Sequence, residues 1–257
     1  MSQDINRILK DWPYDPQQVS ARRIVGDDGK DKLQLRLDMG LLQMESDGHP
    51  AGMKPHGHEN HLAYYRHLRD IHVGQTGTDD EFVLDEQACE LLRAEAVMYY
   101  HRYLAEFILE DYEAVVRDTQ QNLDAMDFCA AFADDESARL AMEQYRPHVI
   151  MMRTRADGLL AMRDNRPKTA LAAVRKGMSE IRQCYRDCPE DEDVFDGGEL
   201  AMLRDLAREI SRRIPADPVA RLRRQLARAV KEERYEEAAH LRDRLRHLAG
   251  HEQHPKT

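Results

Sequence analysis

EQACELLRAEAVMYYHRYLAEFILEDYEAVVRDTQQNLDAMDFCAAF, residues 86–132, carries apolar side chains at spacings of three and four along nearly its whole length. Leu91, Ala94, Val97 or Met98, Tyr103 or Leu104, and Ile108 form one such stripe, which has the period of an amphipathic helix and not the period of two that marks a strand. EDYE interrupts the stripe, and a second helix follows from AVVRDTQQ onward. The predicted unit is a helical hairpin.

The same plan recurs downstream. ESARLAMEQYRPHVIMMRTRADGLLAM is predicted to be one long helix, RDNRP its turn and KTALAAVRKGMSEIRQCY the returning helix. The turns at Asp111 and Asn165 are each followed by a small-plus-aliphatic step, Ala114-Val115 and Ala170-Leu171. Neither hairpin can bury its apolar stripe alone, so the two are expected to stack. The returning helices, DYEAVV and PKTALAAV, resemble the second helix of a tetratricopeptide repeat. They depart from it in a period of roughly 54 residues instead of 34, and the Trp-Leu-Gly-Tyr pattern of the first helix is absent. The resemblance implies a groove for a peptide or partner protein; a plain helical bundle is the alternative.

Towards the N-terminus, RRIVGDDGKDKLQLRLDMGLLQME sets a turn signal, GDDGK, between Ile24-Val25 and an alternating run in which Leu33, Leu35 and Leu37 share a face. A short β-hairpin is predicted there. SDGHPAGMKPHGHEN reads as loop. A helix is then expected from about His58, with Leu62, Tyr65, Leu68 or Arg69, and His72 in line, until VGQTGTDDEF breaks it.

Beyond the second hairpin, the stretch from Asp187 to Glu199 holds seven acidic residues and no basic one, with Pro189, Gly197 and Gly198. It is expected to be a solvated linker. ELAMLRDLAREISRRI follows as an amphipathic helix with Leu203, Leu206 or Ala207, Ile210 and Ile214 on one face, ended by Pro215.

The C-terminal part differs in charge from everything before it. From Pro218 to Ala249 there are nine Lys or Arg against five Asp or Glu, a net of +4 in a chain of formal charge −10, which leaves −14 for the rest. Asp217 suits an N-cap and Pro218 the first helical position. Val219, Leu222, Leu226, Ala229 and Val230 then form one stripe. After a turn near Glu233-Arg234, Tyr235, Ala238, Ala239, Leu241, Leu245 and Leu248 form another, with Glu236 and Glu237 well placed in the first turn. The small Ala238-Ala239 pair lets the two helices approach. A hairpin of this size does not stabilise itself by its core alone and requires another surface: its own chain, a second copy or a different protein.

LRRQLARAVKEERYEEAAHLRDRLRHL, Leu222 to Leu248, resembles the UVR motif, the helical hairpin shared by the excision-repair proteins UvrB and UvrC. The matching elements are Leu222, Leu226, Ala229-Val230, Tyr235-Glu236, Ala238-Ala239 and Leu241-Arg242-Asp243. In that family the hairpin joins proteins to one another, and similar hairpins occur in regulators of Clp-type proteases. The resemblance implies partner-contact roles for Leu222, Leu226, Val230, Tyr235, Ala238, Ala239, Leu241 and Leu245, with Arg242 on the polar rim.

Several chemistries are disfavoured by the residues themselves. No GxxxxGK[ST] phosphate loop occurs; the nearest text, GQTGTDDE, lacks the lysine and continues into acids that repel phosphate. The paired CxxC motifs of the protease regulators are missing, as is any GxSxG nucleophile turn. Cys184 and Cys188 lie four apart, but Pro189 follows at once, and reduced thiols are expected. Six of the twelve histidines, His49, His56, His58, His61, His67 and His72, cluster within one loop and helix. His58 and His61 would share a helix face, yet the spacing matches no standard metal signature, so no metal and no cofactor is expected. No apolar run reaches the roughly 18 to 20 residues of a membrane span, and the N-terminus MSQDINRILKDW lacks a signal-peptide core, which points to the cytoplasm.

The expected protein is therefore mainly α and non-enzymatic. It has an N-terminal region with a β-hairpin (1–57), a tetratricopeptide-like body (58–186), an acidic linker (187–198), a connecting helix (199–215) and a UVR-like hairpin (216–250). Its expected function is docking of a protein partner through residues 216–250, in DNA repair or as an adaptor of a Clp-type protease. Self-association, and contact of the basic tail with nucleic acid, are the further expectations.

Overall fold

The computed structural model describes residues 4–187, 198–214 and 218–251. They form two compact units, one reaching to Ile210 and one starting at Ser211. The class is the expected one: mainly helical, with an antiparallel sheet near the N-terminus and a helical hairpin at the C-terminal end. Among the described residues no helix is long and apolar enough to cross a membrane.

The chain opens with a single helical turn, α1 (Asn6–Leu9), and then forms β1 (Ala21–Val25), β2 (Asp31–Arg36) and β3 (Leu41–Glu45). GDDGK turns as its composition requires, with Gly29 at φ 74° and the Gly26 N–H donating to the Lys30 carbonyl. The expected hairpin gains a third strand, because the chain reverses again at residues 37–40 and pairs Leu33 with Met44. Leu33, Leu35 and Met44 pack with Ala105 of the helical body. Burying side chains of this kind is worth about 1.5–3 kcal/mol each. Leu37 does not share their face: it sits in the turn after β2 and is 39% exposed. The opposite face of β2, Lys32, Gln34 and Arg36, is buried as well. There Arg36 donates to the Trp12 carbonyl, and the Arg22 guanidinium lies 4.3 Å from the Trp12 ring.

A short 3-10 turn (Pro55–Gly57) leads to α2 (His61–Thr76), which starts three residues later than expected. Asn60 decides the start, since its side chain accepts the Ala63 N–H, and Gly77 ends the helix in the left-handed conformation. Helices α3 (Glu86–Ile108) and α4 (Tyr112–Phe132) form the first predicted hairpin. The second is α6 (Arg146–Arg163) with α7 (Pro167–Asp187), and α4 packs on α6, so the hairpins stack. The helix expected over ESARLAMEQYRPHVIMMRTRADGLLAM is broken in two: α5 (Glu136–Glu143) ends at Gln144, and α6 restarts with Pro147 in its first turn. A proline has no N–H for the preceding turn, and at the start of a helix none is needed.

The inward stripe of α3 is not the one its hydrophobicity marks. Ala88, Cys89, Leu92, Glu95, Ala96, Tyr99, Arg102, Tyr103 and Glu106 are buried, whereas Ala94 is exposed and Val97 is 49% exposed. Helix α7 approaches α6 so closely that a Cβ on Gly177 would lie 1.9 Å from Oγ1 of Thr154. Helix α8 (Gly198–Arg213) buries Leu200, Leu203 and Ile210, and Gly158 of α6 leaves room for Leu206 and Ile210. The acidic linker lies outside the described residues except for its ends, where Asp187 closes α7 and Gly198 opens α8. Pro215 and Asp217 also lie outside them.

Candidate docking surface

The second unit is built on α9 (Pro218–Lys231) and α10 (Tyr235–His251). Glu233 takes the left-handed conformation at φ 58°, and the Arg234 N–H reaches back to the Ala229 carbonyl at 2.9 Å. The same device turns the other two hairpins. Glu110 is left-handed with the Asp111 N–H on the Glu106 carbonyl, and Asn165 with the Arg166 N–H on the Ala161 carbonyl. The reversal before α4 thus centres on Glu110, one residue ahead of Asp111, which serves as N-cap of α4.

Leu222, Ala229, Ala238 and Leu241 form the buried seam between α9 and α10, with Leu226 and Leu245 packed against them. Leu222, Leu226 and Ala229 recur at helical spacing on one face of α9, and Ala229 is fully buried where the helices meet. Only Ala238 of the alanine pair enters the seam, while Ala239 faces outward. Val230 is 52% exposed, Tyr235 is 67% exposed, and Arg242 is exposed. The nine residues singled out in the sequence therefore fall into two groups. Leu222, Leu226, Ala238, Leu241 and Leu245 hold the hairpin closed, whereas Val230, Tyr235, Ala239 and Arg242 are open to contact. Ala229 belongs to the seam as well, marked in the sequence by its place in the α9 stripe and in the motif match. The side chains of Val219 and Leu248 lie outside the described residues.

Charge on this unit is arranged around the turn. Arg228 pairs with Glu232 at 2.8 Å, and Arg234 bridges Glu232 and Glu237. Hydrogen bonds from Arg228 and Arg234 hold the Glu232 carboxyl below its ordinary range. Acids at the start of α10, Glu236 and Glu237, complement the helix dipole. Arg223, Arg224, Lys231 and Arg244 have no ion partner among the described residues.

The first unit holds two concentrations of buried polar groups. Glu95, 2% exposed, accepts the N–H groups of His61 and Leu62 and so caps α2 from a neighbouring helix; burial raises its carboxyl above the ordinary range. His49 Nδ1 accepts the Ala51 N–H, its Nε2 lies 3.3 Å from Glu95, and burial lowers its imidazole pKa. The second concentration is Arg102 with Asp118 and Glu106. Of the histidine cluster, His56 stacks on Tyr64 at 4.0 Å and His58 lies beside His67 at 5.0 Å. His58 precedes α2, so it does not share a helix face with His61. No trio of His, Cys, Asp or Glu among the described residues is arranged to hold a metal ion. Cys89 and Cys129 are buried and form no disulfide.

The family model described as the UvrB/uvrC motif, UVR, matches residues 217–249, which covers α9, the Glu233 turn and most of α10. No curated protein and no solved structure matches the chain. The UVR motif is a non-catalytic interaction motif found in DNA-repair proteins and in Clp adaptors. Residues 217–249 thus form an interaction motif of the UVR class.

Proposed function

We propose that this chain is a non-catalytic adaptor that docks a partner protein through the outward face of its UVR-type hairpin. The observation that carries the reading is the pair Val230 and Tyr235, both large, apolar and more than half exposed, on either side of the Glu233 turn. The seam is filled by the hairpin's own leucines and alanines, so these two residues gain burial only against something else. Tyrosine in such a position is a common anchor of protein interfaces. Arg242 and the cations without ion partners around it select an acidic partner surface. In this reading residues 58–186 act as body, 187–198 as linker, 199–215 as connecting helix and 216–250 as docking hairpin, a division that rests on composition and period. DNA repair and Clp-type proteolysis are the settings in which this motif works, and a cytoplasmic location accords with both.

Affinity capture from the native cell with the full chain tests the reading. The double variant Val230→Ser/Tyr235→Ser should keep its helical circular dichroism and lose the partners that the unaltered chain captures. An unchanged set of partners would sink it. A second reading, direct contact with nucleic acid, is favoured by Arg223, Arg224, Lys231 and Arg244 and by the net +4 of the tail. Nuclease treatment before capture separates the two, and binding to DNA that weakens steeply with salt would support the second. A second copy as the partner would show as a concentration-dependent dimer lost in the same double variant.

A further inference from the structure

Two cysteines far apart in the chain meet inside the α3–α4 hairpin. Backbone hydrogen bonds fix the register at its open end, where the Leu84 N–H donates to the Phe132 carbonyl at 2.7 Å and the Asp134 N–H to the Leu84 carbonyl at 3.1 Å. Deeper in, Asn122 Nδ2 of α4 donates to the Ala96 carbonyl of α3 at 2.9 Å. Between these ties Cys89 of α3 and Cys129 of α4 come opposite one another, 6% and 0% exposed, with their thiols within hydrogen-bonding reach.

A cavity of about 120 Å³ leads to this pair, and Cys89 is part of its wall. The volume is well below that of sites for organic ligands, so it admits an ion and excludes a thiol as large as glutathione. Glu86, Glu90 and Asp135 line it against the single cation Arg93, a balance that favours entry of a positive ion. Met142, 3% exposed, puts a thioether in the same wall.

The protonation of the thiols separates oxidation from coordination. Burial pushes both up, Cys129 to about 12, so both keep their protons near neutral pH. Attack on a peroxide needs a thiolate, which disfavours closure to a disulfide. A metal ion, in contrast, deprotonates the thiol that coordinates it. Soft sulfur donors select ions of the Cu(I) class. Zinc requires a fuller set of ligands, and no trio of His, Cys, Asp or Glu is assembled for it among the described residues.

We infer that Cys89 and Cys129 bind one monovalent soft ion of the Cu(I) class in line between their sulfurs, each thiol releasing its proton to solvent as it coordinates. Two thiolates and one such ion leave a single negative charge, which Arg93 in the cavity wall offsets. The site lies in the first unit and uses none of the residues of the docking face, so its failure and that of the docking reading are distinguishable.

Anaerobic titration of the full, reduced chain with Cu(I) held by bicinchoninate tests the inference. In a background of Cys184→Ser/Cys188→Ser, which removes the other two thiols, the chain should withdraw one Cu(I) from the chelator, and more strongly as pH rises, because binding releases protons. Cys89→Ala and Cys129→Ala, made singly in that background, should each abolish the withdrawal while the helical circular dichroism is kept. Two measurements on the background chain itself do not depend on those variants: Cu(I) should raise its melting temperature, and X-ray absorption at the copper edge should show two sulfur neighbours. Excess Zn(II) should not displace the copper. Failure of the background chain to withdraw Cu(I), withdrawal that persists in Cys89→Ala, or a copper spectrum with nitrogen neighbours, which would assign the ion to histidines, overturns the proposal.

Discussion

Arg102 of α3 grips Asp118 of α4 through two parallel contacts, Nε to Oδ2 at 2.5 Å and Nη2 to Oδ1 at 2.8 Å, with both side chains only 1% exposed. The remaining guanidinium nitrogen, Nη1, donates to the carbonyls of Gly48 and Glu45, which ties the end of the sheet to the helical body. One buried cation thereby joins three elements far apart in sequence, with all three of its nitrogens donating.

Removing that cation should cost far more than a surface ion pair. Arg102→Met leaves the buried Asp118 with only the half-exposed Arg117 as counter-charge and two carbonyls without this donor, and a loss of about 3 kcal/mol is expected. Urea denaturation monitored by far-UV circular dichroism measures it. The double variant Arg102→Met/Asp118→Leu, which removes both charges, should recover a large part of the loss.

Glu106 makes the stability of the first unit depend on pH. It is 1% exposed and one of its oxygens has no hydrogen-bond partner. Burial and the neighbouring Asp118 charge push its carboxyl up from 4.5 to about 8, against the opposing pull of Arg102 and Arg117. The folded chain therefore holds a proton that the unfolded chain has released, so stability falls as pH rises from about 4.5 to about 8. Glu106→Gln, neutral at every pH, should flatten that part of the stability–pH curve and be the more stable form at its alkaline end. A curve with unchanged slope in the variant would place the proton elsewhere.

Gly177 is required by contact and not by backbone conformation. A Cβ there would lie 1.9 Å from Oγ1 and 2.5 Å from Cγ2 of Thr154. Gly177→Ala, which should favour an isolated helix, is expected to lower stability by about 1 to 3 kcal/mol through overpacking. Adding Thr154→Ala should return part of it, and thermal melts of the single and double variants read the difference.

The left-handed turns offer the opposite sign. Glu110 holds φ 60° without being glycine. Glu110→Gly should raise stability by about 0.5 to 1 kcal/mol, the strain relieved less the extra chain entropy of glycine. Asn165→Gly should gain less, since asparagine tolerates this conformation. Paired denaturation curves of the two variants give the comparison directly.

Much of the architecture was legible along the chain, because it is written in local rules. The periods of three and four over 86–132, the breakers EDYE and RDNRP, and the match of Leu222 to Leu248 to a UVR hairpin each depend on residues within one or two elements. The short-range errors were of the same kind. Leu37 fell into a turn, Asn60 set the start of α2, and Pro147 divided what read as one helix, each through a single hydrogen-bonding or capping choice. On the hairpin, a stripe of apolar residues could not tell seam from surface: two helices share one stripe, and only their crossing decides that Ala238 meets α9 while Ala239, Tyr235 and Val230 face out.

The sequence by itself determined that this protein is a stack of helical hairpins with a small sheet before it and a UVR hairpin after it, since helical period, turn chemistry and motif spacing are local properties. Tertiary structure alone decided which side of α3 is the inside. Charged residues read as outward on any hydropathy pattern, yet Glu95, Arg102 and Glu106 are buried. Their partners, the α2 N-terminus, Asp118, Arg117 and the carbonyls of the sheet, come from distant segments, and only folding brings these together to offset the cost of removing charge from water.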